Sequence, residues 1–168
     1  LTTSTLALSL FFHILATVIW IGGLLITASL VYPELKRVLA EQPALYRLLS
    51  RLRQRFYPIS NLCLAVLITT GLFQMTADPY YEGFLSFDNE WSRVMLAKHA
   101  LIVMMALLGI WLQYGVAPAL ERVSLLLEKS KGDPVTWERL RLQEVRLTIA
   151  ISALGVGVLA CSAWAGVL

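Results

Sequence analysis

Four apolar runs dominate this chain and limit what it can become. They span about Leu6 to Tyr32, Ile59 to Ala77, Val94 to Leu120 and Leu147 to Leu168. A helix needs ~20 apolar residues to cross ~30 Å of hydrocarbon, and each run is of that order. An open sheet would leave backbone groups unpaired in lipid, so helices are the expected form. The composition agrees: 58% of the residues are hydrophobic, 15% are charged, and the mean hydropathy is +0.70. The expectation is an all-α, integral membrane four-helix bundle, up-down-up-down, forming one domain over residues 1–168.

Charge placement orients the bundle. The first loop carries Lys36, Arg37, Arg47, Arg51, Arg53 and Arg55 against Glu34 and Glu41. The second carries Asp78, Glu82, Asp88 and Glu90 against Arg93, and the third is again basic, with Arg122, Lys129, Lys131, Arg139, Arg141 and Arg146. Basic loops stay in the cytoplasm. Both termini and the second loop are therefore expected on the non-cytoplasmic side of a bacterial-type inner (plasma) membrane. Tyr80, Tyr81, Phe84, Phe87 and Trp91 suit an outer interface belt. The bases sit beside apolar spans and form no basic domain, so nothing points to nucleic acid. The first run is too long, and its beginning too uncharged, for a cleaved signal peptide.

The loops carry patterns of their own. Leu45, Leu48, Leu49, Leu52 and Phe56 share one helical face, with Arg47, Arg51 and Arg55 on another. Pro33 and Pro58 flank the stretch and Pro43 divides it. This predicts a short amphipathic helix between spans one and two, on the inner leaflet. In "KGDP", Asp133 is placed to cap a helix with Pro134 in its first turn. Spans three and four then extend into a cytoplasmic helical hairpin. No internal repeat stands out, and there is no phosphate loop, GxSxG elbow or HExxH pair. Cys63 and Cys161 read as buried thiols without CxxC spacing.

The chemistry rests on two histidines, both inside spans. His13 lies in "FFHILATVIWIGG" and His99 in "WSRVMLAKHALIVMMALL". Ionisable groups at membrane depth are functional candidates by default. Spans one and three run in the same direction, and both residues fall roughly 12 Å below the outer boundary at 1.5 Å per residue. Two imidazoles at one depth suit a heme held between two helices. Thr17 and Trp20 follow His13 at helical spacing, and Met95 precedes His99 by one turn. Gly71 in span two and the small residues of span four would make room for a macrocycle, with Trp20 and Trp164 against it. Arg93 is placed to meet propionates, and Lys98 either snorkels outward or ligates iron.

The same residues allow a copper site: His13, His99, Met95 and Met75 are soft or borderline donors suited to Cu(I), with Met104 and Met105 deeper as a path. A third reading has no cofactor. The histidines then bond each other, Thr17, Ser92 or a water, in a structural or assembly subunit.

"HILATVIWIGGLL" resembles the first-helix pattern of the copper-resistance D (CopD) membrane family and its HemJ-like relatives. "MLAKHALIVMMALL" is similar to their later, lysine-containing helix. The resemblance covers the four-helix core. CopD-type proteins imply copper uptake. HemJ-type proteins imply heme b and protoporphyrinogen oxidation, using a histidine and a lysine. His13 matches the first-helix histidine and Lys98 the later lysine, while His99 departs from the HemJ pattern and favours bis-histidine ligation. The leading expectation is a b-type cytochrome-like protein binding heme b between His13 and His99, exchanging electrons with a quinone or a redox partner protein. Oxidoreductase activity on a quinone or a porphyrinogen is left open by the residues, and so is assembly into a homo-oligomer.

Overall fold

The computed structural model describes residues 3–31, 33–34, 37, 43–81, 83 and 86–168, and among 43–49 the backbone only. Tyr32, Lys36, Glu41, Glu82 and Phe84, and the side chains of Leu45, Arg47, Leu48 and Leu49, lie outside these. Among the described residues, five α-helices carry the fold: α1 (Thr3–Ile26), α2 (Pro43–Thr76), α3 (Glu90–Ile110), α4 (Ala117–Glu128) and α5 (Pro134–Ala165). The continuous helical segments Thr3–Val31, Ser50–Thr76, Glu90–Glu128 and Pro134–Ala165 are long and apolar enough to cross a membrane. The third runs past both ends of its apolar run, and the second and fourth begin well before theirs, because charged residues extend them in register. The amphipathic stretch is helical but not separate. It forms the first turns of α2, starting at Pro43 and passing through Pro58 without a break.

The ends follow elementary rules. Asn89 caps α3, its side chain accepting from the Ser92 amide at 2.7 Å. Asp133 caps α5 and accepts from the amides of Val135 and Thr136, with Pro134 in the first turn. Between α4 and α5 the chain reverses over a few residues. Gly132 is needed there, since a Cβ would sit 2.6 Å from the Leu127 nitrogen.

Packing fixes the arrangement. α1 lies along α2, α3 lies along α5, α5 also meets α1, and α2 meets α4. Hence α1 and α3 stand on one diagonal of the bundle, and α2 and α5 on the other. Ala16, Trp20, Ile21, Cys63, Met105, Ile151 and Val158 form the apolar centre. Trp20 is buried, and its indole donates to the Ser60 hydroxyl at 2.7 Å, tying α1 to α2. Met105 belongs to this core while Met104 faces outward, so the two do not form a path. Most other apolar side chains on the outer faces are exposed, the pattern of a bundle solvated by lipid.

The fold makes an internal repeat visible. A π-helical turn, Thr27–Val31, follows α1, and another, Trp111–Val116, follows α3. The two end on valines 85 positions apart, and each valine is followed two residues later by a proline, Pro33 or Pro118. A proline lacks the amide donor and crowds the preceding turn, and a widened turn relieves that crowding. The strings are VYPELKRV and VAPALERV, identical at five of eight positions. At the same offset Trp20 matches Met105, both buried, and His13 matches Lys98. The two hairpins are thus variations on one plan.

Candidate metal centre at the acidic-loop end of the bundle

His13 sits about 15 Å from the start of α1 and His99 about 13 Å from the start of α3, at 1.5 Å per residue. Both are half-buried, at the end of the bundle that carries the acidic loop. Their hydrogen bonds define their chemistry. The Thr70 hydroxyl donates its one proton to the Val66 carbonyl at 2.6 Å. It can therefore only accept from His13, whose Nδ1 lies 2.8 Å away. His99 Nδ1 lies 2.6 Å from the Met95 carbonyl oxygen, an acceptor only. Each neutral ring thus carries its proton on Nδ1 and presents the Nε2 lone pair. A fixed Nδ1–H···O contact is the usual support of a metal-bound histidine.

The surroundings sort the other expected residues. A Cβ on Gly71 would come 3.3 Å from His13 Cε1, so the bare position lets α2 lie close against the ring. Thr17 donates to the His13 carbonyl at 2.8 Å, which serves the helix and not the imidazole. Trp20 belongs to the core beneath, and Trp164 faces outward. Arg93 is exposed and its Nε donates to the Phe87 carbonyl at 3.1 Å, holding the acidic loop. Gln74 reaches Ser9 at 3.2 Å and joins α2 to α1 at this level. Met75 is buried and Met95 half-buried.

Lys98 stands within electrostatic reach of both His13 and Cys161. It is half-buried, so its face of α3 is turned partly inward. Consecutive helical residues diverge by about 100°, so His99 lies at the margin of that face, below Met95 and Ser92. The Ser92 hydroxyl is buried and has no hydrogen-bond partner. Among the described residues, no three His, Cys, Asp or Glu side chains gather as a metal cluster.

A second polar layer was not anticipated from the sequence. Near the basic end of the bundle, Arg53 of α2 and Glu144 of α5 form an ion pair across the other diagonal. Glu144 is 1% exposed. The Tyr57 hydroxyl lies beside Arg53, buried and without a hydrogen bond of good geometry. Ser124 and Thr148 are buried in the same region. Arg51 and Arg55 do face outward as their spacing suggested, and Arg53 between them does not.

These features describe a four-helix membrane protein with two half-buried imidazoles and a half-buried lysine towards its acidic-loop end. The chain belongs to the CopD family: the model of that family, copper resistance protein D, matches residues 50–165, well over half the chain. The match takes in Lys98, His99 and Glu144 and stops short of His13. No curated protein and no solved structure gives a match.

Proposed function

We propose that the outer layer holds a redox metal as heme b, making the protein a b-type cytochrome-like electron carrier of the membrane. The observation that carries this is the pair of imidazoles, each with its Nδ1 held by an oxygen. The donor set fits. A porphyrin supplies the equatorial nitrogens itself and asks the protein for axial ligands alone, which suits a layer with few donors. The unpartnered Ser92 hydroxyl gives a donor for a carboxylate at the acidic-loop end, and the bare Gly71 lets His13 seat against α2. When bound, heme would accept and release single electrons. His13 would be one ligand of its iron. Lys98, within electrostatic reach of His13, or its neighbour His99 would be the other ligand. A quinone or a redox protein would complete the circuit. The basic loops orient this layer towards the non-cytoplasmic side.

Family membership supports a second reading, copper binding for uptake. His13 Nε2 and the Cys161 thiol, with methionine sulfur from Met95 or Met75, are chemically suited to Cu(I). One experiment separates the readings. Purified protein expressed with heme and copper supplied is examined by absorption spectroscopy and metal analysis. A Soret band lost in His13→Ala supports heme. Copper without a Soret band, lost in the same variant, supports copper. Neither signal sinks both. Lys98→Met and His99→Ala then identify the second ligand.

A further inference from the structure

We propose that the Arg53–Glu144 pair is a latch closing a polar half-channel, and that water and protons enter the inner half of the bundle from the basic end when it parts. The interior there is lined in an unusual way for a lipid-embedded bundle. Glu144, Thr148 and Ser152 recur every fourth residue on one face of α5, and all three are buried. Arg53 and Tyr57 of α2 and Ser124 of α4 bring further polar groups to this end. The Thr148 and Ser152 hydroxyls donate to the carbonyls one turn back, at 3.0 and 2.8 Å. Their oxygens keep lone pairs that a water could use, and the Tyr57 hydroxyl is a donor with nothing to meet.

The column has a lid and a floor. Its lid is the ion pair. Its floor is apolar: beyond Ser152, a Cβ on Gly155 would touch Ile21 and Met105 at 3.4 Å each, so three helices meet there without polar groups. Stability alone does not account for the pair. A buried ion pair is often no better than apolar residues of the same volume, because both charges must be stripped of water. The joints to move it are present. Both π-turns, Thr27–Val31 and Trp111–Val116, pack against α5 near this level, and such turns mark places where a helix changes register. The inference is independent of the metal reading, since it concerns only the inner half and needs no cofactor.

The test is thiol accessibility. Ser152→Cys is placed in a Cys63→Ala, Cys161→Ser background, in liposomes of uniform orientation. A membrane-impermeant quaternary-ammonium thiosulfonate is applied from either side. With the pair intact the reporter reacts slowly, and only from the basic end. Glu144→Gln accelerates the reaction roughly tenfold or more, because one charge is left without its partner. Exchanging the two charges, Arg53→Glu with Glu144→Arg, restores protection. Glu144→Asp, a gentler change, gives intermediate acceleration and carries the test if the Gln variant does not fold. Equal rates in all variants, faster entry from the acidic end, or no protection in the exchanged pair would each overturn the proposal.

Discussion

The two polar layers differ in how their charges are matched. Thr70 and Arg53 lie seventeen residues apart on α2, and Cys161 and Glu144 the same distance apart on α5. At 1.5 Å per residue, about 25 Å separates the layers. The inner layer pairs a guanidinium with a carboxylate. The outer one is built of bases: two imidazoles and a lysine amine. A matched pair neutralises itself and ties its helices together, whereas a set of bases at membrane depth calls for a ligand. The first layer locks the bundle and the second equips it.

The largest expected effect falls on the outer layer. His13→Ala removes the bound metal or heme altogether, read as loss of the spectrum or of metal content. It should cost the apoprotein only about 1 kcal/mol, the usual worth of one hydrogen bond such as that to Thr70. The inner layer should behave in the opposite way. Glu144→Ala strands the Arg53 charge and should lower unfolding stability by about 3–5 kcal/mol, measured by chemical denaturation in detergent. Its folded fraction should keep the wild-type spectrum. If that variant folds and yet loses the cofactor, the two layers are coupled and the division of labour is wrong.

A smaller effect tests the apolar centre between them. Trp20→Phe keeps most of the buried area and forfeits the bond to Ser60. It should cost about 1 kcal/mol. Ser60→Ala leaves the indole donor unmet and should cost about 1–3 kcal/mol. Neither should move the spectrum. A shifted spectrum in Trp20→Phe would mean that the indole contacts the cofactor.

Much of this was legible in the residues, because hydrophobic length and loop charge act locally. The four spans, the Asp133 cap and the matched depth of the histidines follow from such rules. The ion pair does not, since Arg53 sits in a run of arginines and Glu144 in a charged helix start, and only the crossing of α2 and α5 turns them inward. Helix α2 hides the same lesson. Pro58 signals a break, and the bundle carries the helix through it. The repeat escaped notice because only its prolines and their neighbours keep their identity. The exchange of His13 for Lys98 across it leaves no shared residue type at that polar position. Which of Lys98 and His99 points inward depends on helix rotation, which spacing on one helix alone leaves free.

Asp133 extends the comparison to an acid outside the bundle. Like Glu144 it is a carboxylate held by donors, but it is fully exposed, at the tip of the hairpin. The Thr136 hydroxyl and then the Val135 amide hold its carboxyl below the ordinary value. A carboxylate with a lowered folded-state pKa stabilises at pH values above its unfolded pKa, and the contribution fades as pH falls through the folded value. The start of α5 should therefore fray only once the pH falls below the ordinary aspartate value, read as faster amide exchange at Val135 and Thr136. Asp133→Asn still caps the helix but cannot titrate, so its exchange should follow only the intrinsic pH trend. Wild-type and Asn variants with the same acid response would show that the cap works through its shape alone. The carboxylate would then contribute no charge at this exposed end, in contrast to Glu144, whose charge is matched to Arg53.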